Sequence, residues 1–269
     1  MSLLGEIEKR ARDALLSGAL EPIPSRLEIV EDAGVSFTVR VVENLARKPS
    51  ESKENPFLPY EEALFVADVS DTHVALLNKF NVMPIHLLVV TREYEEQESL
   101  LSRADFEAAW RLMQELEGLV FYNAGSLAGA SQRHKHLQYV PFPVGEGPEE
   151  TPLDLWSSQL PFVRAIAKLE PSEGDTLTEG AERAREQYLR LLRSFAPGNS
   201  PRPYNLLMTT GWLCVVPRAR ESWRSISVNA LGFAGAFLAR SDDELAVIRR
   251  EGPFSILEHV GIGSVNEIV

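Results

Sequence analysis

Short apolar runs with the two-residue period of β-strands follow one another along this chain, and only a few helical segments separate them. In the clearest run, at residues 35–42, valine and phenylalanine alternate with serine, threonine and arginine, which is the pattern of a half-buried strand. Strands and helices do not alternate regularly, as they do in parallel α/β folds. This order predicts the α+β class, with a mainly antiparallel sheet and helices packed on it.

Turn residues bound most of the other runs, so their limits can be predicted. Strands are predicted at 63–69, 73–80, 86–91, 119–122, 134–140, 204–208 and 212–216, with the last two forming one hairpin and the pair around residues 123–132 another. Helical spacing of apolar residues predicts helices at 3–20, 106–118, 181–195 and from 242 onwards. Ser102 and Asp105 are spaced as a capping box before the second helix, and Gly118 is predicted to end it.

Composition narrows the class of protein. With 269 residues, of which 44% are hydrophobic, the chain can bury a large core as one domain or two small ones, and we favour one. A net charge of -12 argues against nucleic-acid binding, and the oligomeric state is left open. The single cysteine, Cys214, excludes an internal disulfide framework. Charges interrupt the apolar residues near the N-terminus, so we expect a cytoplasmic protein without a secretory signal or membrane span.

Residues 123–132 form a loop rich in small side chains after a predicted strand. Its glycines, with Ala130 and Ser131, leave backbone N–H groups uncovered, so that a phosphate group could approach closely. An ordinary hairpin connection has the same composition, and the loop by itself identifies no function.

Three hydrogen-bonding side chains follow this loop. Because side chains alternate across a strand, His134, His136 and Gln138 project from one face. An imidazole there could attack the α-phosphorus of a nucleotide and form a phosphoramidate, since the ring can accept positive charge and leave again. Two histidines at this spacing could instead bind zinc, with His73 or His86 as a third ligand. Spacing alone leaves open a nucleophile, a metal site and a solvated pair of histidines.

The sequence His134-Lys-His136-Leu-Gln138 resembles the His-x-His-x-Gln signature of the transferase branch of the histidine-triad superfamily. Its surroundings resemble the ATP adenylyltransferases, also called diadenosine tetraphosphate phosphorylases, in four blocks that occur in the expected order. These blocks lie at 78–91, at 122–138, at 204–209 together with 215–218, and at 229–235. The resemblance implies a single histidine-triad-like domain over 1–269, with a catalytic core at roughly 60–140 and a C-terminal part at 180–269 that completes the sheet and the pocket.

This resemblance implies a reversible two-step reaction on diadenosine tetraphosphate. His136 would take AMP from the substrate and release ATP, and inorganic phosphate would then collect the AMP as ADP. Gln138 replaces the third histidine of hydrolytic relatives and would bond the phosphate oxygens, with His134 completing the catalytic set. A divalent cation, expected to be Mg²⁺, would accompany the substrate phosphates without dedicated protein ligands.

The resemblance also implies substrate contacts outside the catalytic strand. They would come from Lys48, Asn78, Lys79, Asn123, Gly129, Ala130, Ser131, Gln132, Asn229, Gly232 and Arg240. Lys53 competes with Lys48 for a phosphate contact from the loop at 47–60. Arg240 stands where many relatives have lysine, so the charge is kept while the geometry differs. A histidine-triad hydrolase and a nucleotide-binding sensor without turnover are the alternative functions.

Overall fold

Strands and helices alternate irregularly in a computed structural model of the chain, which describes residues 2–42, 55–147, 160–170, 174–195 and 203–262. In chain order the strands are β1 (Ser25–Asp32), β2 (Val35–Val42), β3 (Phe65–Asp68), β4 (His73–Leu77), β5 (Leu87–Thr91), β6 (Gly118–Ala124), β7 (His136–Pro141), β8 (Ala165–Lys168), β9 (Tyr204–Met208), β10 (Trp212–Pro217), β11 (Ser222–Trp223), β12 (Ile226–Ser227) and β13 (Ala236–Ala239). The helices are α1 (Leu3–Ser17), α2 (Arg103–Glu115), α3 (Leu177–Phe195), α4 (Ala230–Phe233), α5 (Asp242–Glu251) and α6 (Pro253–Val260). None of the helices in these ranges combines the length and the apolar content needed to cross a bilayer.

A central sheet has the strand order β3-β4-β5-β7-β6-β9-β10-β8, and its neighbouring strands are antiparallel. The two predicted hairpins, β6–β7 and β9–β10, are confirmed. β6 also pairs with β9, so the sheet joins strands from both halves of the chain. A second sheet has the order β1-β2-β13, and β11 and β12 form a separate ribbon. This architecture confirms the predicted α+β class.

Helices α1, α2 and α3 cover one face of the central sheet. Their apolar residues share a cluster with alternate strand residues, among them Val89, Leu137 and Leu206. The predicted capping box is confirmed: the Ser102 side chain accepts from the Asp105 backbone, and the Asp105 side chain accepts from the Ser102 backbone. Because Leu137 faces the helices, its neighbours on either side in β7 must face the other way.

The opposite face of the central sheet is divided between two apolar clusters. One contains Phe121 and packs against the small sheet and helices α4 to α6, whereas the other contains Val90 and Phe57. Gln138 pairs in register with Phe121 of the first cluster, and His136 pairs with Val90 of the second. The polar side chains of β7 therefore emerge at the boundary between two apolar regions.

The end of α2 differs from the prediction. The helix stops at Glu115, and Gly118 opens β6 instead of capping the helix. A Cβ atom on Gly118 would stand 2.4 Å from the carbonyl oxygen of Val140 in the neighbouring strand. Glycine is therefore required by the close approach of two strands, and the prediction of a helix cap was wrong.

Strand β1 lies where the sequence analysis placed no strand. Its apolar residues Leu27 and Ile29 alternate with charged residues, which is a strand period that the prediction missed, and both apolar side chains are exposed in the structure. The strand is held by antiparallel pairing with β2 across the turn at Ala33 and Gly34, which both have positive φ. Such a two-residue turn suits the twist of a hairpin.

Lys135, between the two predicted catalytic histidines, is buried on the side of α2. Its Nζ lies 3.0 Å from Asp105 Oδ2 and 2.7 Å from Glu95 Oε2. Asp105 also accepts a hydrogen bond from His73 Nε2 at 2.9 Å. These contacts form an ion network that ties the start of β7 to α2 and β4.

Candidate active site

The hairpin of β6 and β7 opens where the predicted phosphate loop begins. Pairing in the ladder ends at Phe121 and Gln138. Beyond it, Gln97 Oε1 accepts from the His136 backbone N–H at 2.8 Å, and Gln97 Nε2 donates to the carbonyl oxygens of Asn123 at 2.9 Å and His136 at 3.2 Å. This side chain satisfies the backbone of both strands while holding them apart. The gap lies beside the predicted catalytic histidine.

His136 is held through one ring nitrogen. Its Nδ1–H donates to the carbonyl oxygen of His134 at 2.8 Å. In a neutral imidazole with its hydrogen on Nδ1, the lone pair is on Nε2. Burial lowers the pKa of His136 to about 4, so the ring is neutral at physiological pH. His136 therefore offers an unprotonated Nε2, the form that a nucleophile requires.

His134 differs because both of its ring nitrogens are occupied. Nε2–H donates to the carbonyl oxygen of Thr91 at 2.8 Å, and Nδ1 accepts from Asn55 Nδ2 at 3.1 Å. Burial also lowers the pKa of His134. A zinc site would need a lone pair from each histidine. The hydrogen bonds therefore favour a nucleophile at His136, with His134 as the residue that orients it.

Aromatic rings enclose the two histidines. The Phe57 ring centroid lies 5.6 Å from that of His134 and 5.4 Å from that of His136, and the Tyr94 centroid lies 5.4 Å from that of His134. Phe57 is buried, whereas Tyr94 is 47% exposed. Phe57 thus excludes water from one side of the catalytic ring, which contributes to its desolvation.

Gln138 is anchored by its oxygen. His86 Nε2–H donates to Gln138 Oε1 at 2.8 Å, and Asn78 Nδ2 donates to His86 Nδ1 at 3.2 Å. Burial lowers the pKa of His86 to about 4, although the hydrogen bond with Gln138 opposes this shift. With Oε1 engaged, the Nε2 amino group is the part of the Gln138 amide that is left to face a ligand.

In Asn123, as in Gln138, the amide oxygen is held by neighbouring donors and the amino group is left for a ligand. Its Oδ1 accepts from Asn205 Nδ2 at 2.8 Å and from the Ala230 backbone N–H at 2.9 Å. Asn123 Nδ2 is buried and lacks a partner among the described residues. An unpaired buried donor costs about 1–3 kcal/mol, a cost that an anionic ligand would remove.

The small-residue loop contains a 3₁₀ turn at Ser126–Ala128. The N–H of Gly129 donates to the Ser126 carbonyl at 2.9 Å, and the N–H of Ala130 donates to the Gly125 carbonyl at 3.1 Å. These two groups, predicted to hold phosphate, are therefore used within the loop. Gly129 has φ +89°, and a Cβ atom there would stand 2.9 Å from Asn229 Cα, so only glycine lets the loop pack against α4.

Beside this loop lies a cavity of 390 Å³. It is lined by Glu96, Gln97, Glu98, Gly125, Ser126, Ala130, Ser131, Gln132 and Arg133. The backbone N–H groups of Ser131 and Gln132 have no partner in the described part of the chain and remain available for a phosphate. Of the predicted loop residues, Ala130, Ser131 and Gln132 thus line one concave surface, whereas Gly129 is not part of its lining.

Arg218 places a buried positive charge beneath the loop. Its guanidinium donates to Asn205 Oδ1 at 2.6 Å and to the carbonyl oxygens of Ala128 at 3.3 Å and Val228 at 2.8 Å. Burial lowers the pKa of Arg218 to about 10, so it stays charged at neutral pH. Its partners here are neutral oxygens, and the charge is therefore not cancelled by them. This charge favours an anion at the loop although the chain as a whole is acidic.

Other predicted substrate residues lie around the loop or apart from it. Asn229 caps α4, with its Oδ1 accepting from Leu231 N at 2.9 Å, and adjoins Gly129. Gly232 lies within α4, where a Cβ atom would meet Val228 Cγ1 at 2.6 Å, so close packing already requires this glycine. Their substrate roles stay predictions.

Two predicted cations are paired with carboxylates. Lys79 Nζ lies 2.8 Å from Glu61 Oε2, and Arg240 Nη2 lies 2.6 Å from Glu244 Oε1. Neither has a contact with the catalytic side chains in the described structure. Lys48 and Lys53 lie outside the described residues.

Several residues of the site were not predicted. Asn205 left a partial signal as a polar residue within an apolar run, but its register with Asn123 is visible only in the structure. Gln97 and Asn55 lie in polar segments with no periodicity, so no pattern singles them out. Arg218 directly follows β10, and nothing in the surrounding sequence indicates that it lies beneath the loop. His86 was weighed as a structural, a substrate-binding or a metal-binding residue, and its contact with Gln138 was not predicted.

A neutral imidazole beside two amide donors can accept a phosphorus-centred group from an anionic ester, because the amides stabilise the oxygens around the reacting phosphorus. The fold and this site are those expected of a group-transfer enzyme, and the geometry favours His136 as its nucleophile.

Comparison with known proteins agrees with this class. The family model of the Ap4A phosphorylase N-terminal domain matches residues 1–158, and that of the ATP adenylyltransferase C-terminal domain matches residues 158–263. Diadenosine 5',5'''-P1,P4-tetraphosphate phosphorylase 2 of Saccharomyces cerevisiae is 32% identical in an alignment of 241 positions that covers 74% of this chain and 73% of that protein. Protein APA1 of the same yeast is 27% identical over 90% of this chain and 88% of its own length.

Solved structures share the fold. The yeast Ap4A phosphorylase Apa2 in complex with AMP has a TM-score of 0.83 at 24% identity, with 98% of each chain covered. The same enzyme in complex with Ap4A has a TM-score of 0.79, with 97% of each chain covered. The chain belongs to the Ap4A phosphorylase and ATP adenylyltransferase family. Its division into one domain or two stays a prediction.

Proposed function

We propose that this protein is a diadenosine tetraphosphate (Ap4A) phosphorylase that works through a covalent adenylyl-histidine. The observation that carries this proposal is the hydrogen-bonding state of His136, whose Nδ1–H is held by the His134 carbonyl while Nε2 has no hydrogen bond to any of the described residues. The yeast relative named as a diadenosine tetraphosphate phosphorylase and the Apa2 complexes with AMP and Ap4A support the choice of substrate.

In the first step, His136 Nε2 attacks the α-phosphorus of Ap4A. A P–N bond forms, the P–O bond to the remaining polyphosphate breaks, and ATP leaves. The ring becomes positively charged while Nδ1–H keeps donating to the His134 carbonyl, which stabilises this charge. Gln138 Nε2 and Asn123 Nδ2 are the donors available for the non-bridging oxygens.

In the second step, an oxygen of inorganic phosphate attacks the same phosphorus. The P–N bond breaks, ADP leaves, and His136 returns to its neutral state. Phosphate is already ionised at neutral pH, so the acceptor needs no general base. This matches a site in which the third signature position is the amide of Gln138. Both steps exchange one phosphoryl bond for another, so the reaction can run in either direction.

Substrate phosphates are proposed to bind at the small-residue loop. Ser131 and Gln132 line its cavity, and Arg218 lies beneath the loop as a fixed positive charge. Asn229 adjoins the loop at Gly129. The remaining predicted substrate contacts have less support. Asn78, Lys79 and Arg240 are engaged with other side chains, and Gly232 is packed against Val228. Lys48 lies outside the described residues.

A divalent cation, expected to be Mg²⁺, is proposed to arrive with the polyphosphate. In the described part of the chain, no three histidine, cysteine or acidic side chains are grouped as metal ligands. Glu96 and Glu98 line the cavity, and Mg²⁺ often binds one or two carboxylates together with substrate phosphates. This lining fits an ion held mainly by the substrate, which would neutralise charge on the leaving polyphosphate.

The cellular location is proposed to be the cytoplasm. The described chain has a single cysteine, Cys214, which is a buried free thiol. This usage suits a reducing compartment.

The proposed mechanism is tested by intact-protein mass spectrometry. Wild-type protein, His136→Ala and the control His259→Gln are mixed briefly with Ap4A in the absence of phosphate, and phosphate is then added. We expect an AMP adduct on wild type and His259→Gln only, discharged as ADP by phosphate. Discharge to AMP by water alone would indicate a hydrolase. Binding of Ap4A without any adduct would overturn the proposal in favour of a nucleotide sensor.

A further inference from the structure

Asn78, His86 and Gln138 form a line across three neighbouring strands. β4 and β5 pair with Leu77 opposite Leu87, so Asn78 and His86 meet directly beyond the ends of these strands, where Asn78 N donates to the His86 carbonyl at 2.9 Å. On the other side of β5, Leu88 pairs with Gln138. His86 is therefore the diagonal neighbour of Gln138 on the same face of the sheet, within reach of its side chain.

The hydrogen bonds along this line have a single consistent direction. Asn78 Nδ2 can only donate, so His86 Nδ1 must accept, and in a neutral ring the hydrogen is then on Nε2. Nε2–H requires an acceptor, and Gln138 supplies its Oε1 at 2.8 Å. His86 is 8% exposed and packs near the Phe121 ring, whose centroid is 5.9 Å away. This apolar contact favours a neutral ring, as the lowered pKa also indicates.

The direction matters because a glutamine amide has nearly the same shape in its two orientations. With Oε1 toward His86, Nε2 can donate to an oxygen on the reacting phosphorus. With the amide reversed, Oε1 would face that oxygen, and two acceptors would repel each other where negative charge develops. A residue that selects one orientation therefore affects the chemical step without touching the substrate.

We infer that His86 is a positioning residue that holds the Gln138 amide with Nε2 toward the reacting phosphate, and that Asn78 acts by selecting the required tautomer of His86. This inference rests on the proposed transfer through His136. Asn78 then has no direct contact with the substrate, contrary to the prediction. It acts on the phosphate through His86 and Gln138.

The first test compares two variants of similar shape. His86→Gln keeps an N–H donor for Gln138, whereas His86→Met has none. The single-turnover rate of AMP-adduct formation from Ap4A is measured for each, in the wild-type background and in Gln138→Leu. We expect His86→Met to lower the rate roughly 10- to 100-fold in the wild-type background and to have little effect in Gln138→Leu, with His86→Gln restoring most of the rate.

A second readout uses the two diastereomers of ADP with sulfur on the α-phosphorus as adenylyl donors in the reverse direction. Sulfur is a weak hydrogen-bond acceptor, so the diastereomer with sulfur facing Gln138 should react more slowly with wild type. His86→Met should reduce this preference to that of Gln138→Leu. A change in His86 that merely loosened the fold would slow both diastereomers equally, and it would slow the enzyme in both Gln138 backgrounds. Either result would overturn the inference.

A measurement that does not depend on turnover separates this inference from the proposed function. Nitrogen-15 NMR of histidine-labelled wild-type protein should show His86 with protonated Nε2 and unprotonated Nδ1, and Asn78→Leu should allow the other tautomer. A protonated Nδ1 in wild type would contradict the inference even if His136 forms the adduct. Absence of the adduct in wild type would instead refute the proposed function, whatever the tautomer of His86.

Discussion

Three polar side chains at the site share one arrangement: an atom facing away from the substrate is anchored, and an atom facing it is free. Nδ1 of His136, Oε1 of Gln138 and Oδ1 of Asn123 are the anchored atoms. The anchors fix the rotamers and amide orientations before substrate arrives. Groups arranged in this way need no reorganisation when charge develops, which is the main source of electrostatic catalysis.

The role of Asn123 gives a prediction for a substitution without change of shape. Asn123→Asp keeps an oxygen for Asn205 Nδ2 and the Ala230 N–H but replaces the free donor with a carboxylate oxygen. We expect kcat/KM for Ap4A to fall on the order of 100-fold or more, because a donor to an anion becomes a like charge. Gln114→Glu, at an exposed position of α2, adds the same charge and should have little effect. Equal activities in the two variants would exclude Asn123 Nδ2 as a phosphate ligand.

The neutral state of His136 gives a prediction for the pH dependence. Burial lowers the pKa of this imidazole to about 4, so the nucleophilic form is fully populated above roughly pH 5. The internal phosphates of Ap4A do not titrate near neutral pH. We expect the single-turnover rate of adduct formation at saturating Ap4A to vary by less than about twofold between pH 5.5 and 8. A rise through an apparent pKa near 6.5 would show that His136 is not desolvated as its surroundings imply.

The residues carrying chemistry were predictable only where a local pattern marks them. The two-residue period of β7 placed His136 and Gln138 on one face, and that prediction is confirmed by their hydrogen bonds and burial. The anchors are different. Gln97 and Asn205 reach the site from positions distant in sequence, and their role depends on which strands become neighbours. A single sequence contains no local record of that pairing.

At the scale of elements, β7 is held in place by ion pairs on the helix side of the sheet and by backbone hydrogen bonds to its neighbouring strands. Lys135, directly before β7, contacts Asp105 of α2 and Glu95. Pairing with β5 and β6 fixes the register of β7. Burial acts to raise the pKa of Asp105, but the His73 hydrogen bond and the Lys135 charge outweigh it, so the net shift is downward. The carboxylate therefore stays ionised and keeps α2 aligned with the catalytic strand.

Lys135→Met should destabilise the fold by about 3 kcal/mol or more, because it leaves the Asp105 carboxylate buried without its cation. The other partner provides a matched control. Glu95 has a side chain that is 46% exposed, so Glu95→Gln should cost less than about 1 kcal/mol. Urea unfolding at neutral pH measures both changes. Similar losses in the two variants would mean that the ion network contributes no more than a surface pair.

Some boundaries of helices and strands could be predicted from local sequence signals, and others could not. The hairpin of β9 and β10 and the capping box of α2 were predicted because turn residues and the Ser102–Asp105 spacing are local. The role of Gly118 was predicted wrongly. The position requires glycine because the backbone of Val140, in the neighbouring strand, leaves no room for a Cβ atom. β1 was missed although Leu27 and Ile29 alternate with charged residues, and its position is fixed by its pairing with β2.

At the scale of the whole molecule, the predicted catalytic side chains lie on one sheet face, between two apolar clusters. The cluster containing Phe121 and the cluster containing Phe57 desolvate His86 and His136. Strands from both family-matched halves of the chain contribute to this sheet, with Asn123 in β6 opposite Asn205 in β9. The chemistry therefore depends on burial that only the assembled fold provides.

This desolvation links catalysis to stability. Burial lowers the pKa values of His86 and His136 to about 4 in the folded protein, against 6.5 for an ordinary histidine. Above pH 6.5 both states are neutral at these positions, so the shift has no effect there. As the pH falls from 6.5 toward 4, the unfolded chain binds protons that the folded protein excludes. Stability is therefore lost across this window, by about 3 kcal/mol for each histidine at its lower end.

We expect the free energy of unfolding, measured in urea at a series of pH values, to be level from pH 8 to 7 and to fall from pH 6.5 to 4.5. His86→Gln and His136→Gln should each make the fall shallower, because each removes one group that titrates only in the unfolded state. His259→Gln, at a partly exposed position of α6, provides a matched histidine substitution outside the site. If the slopes of both site variants matched that of wild type, the acid sensitivity would have to come from other groups. The site histidines would then titrate in the folded protein much as they do in water, and the neutral nucleophile on which the mechanism depends would be lost near pH 6.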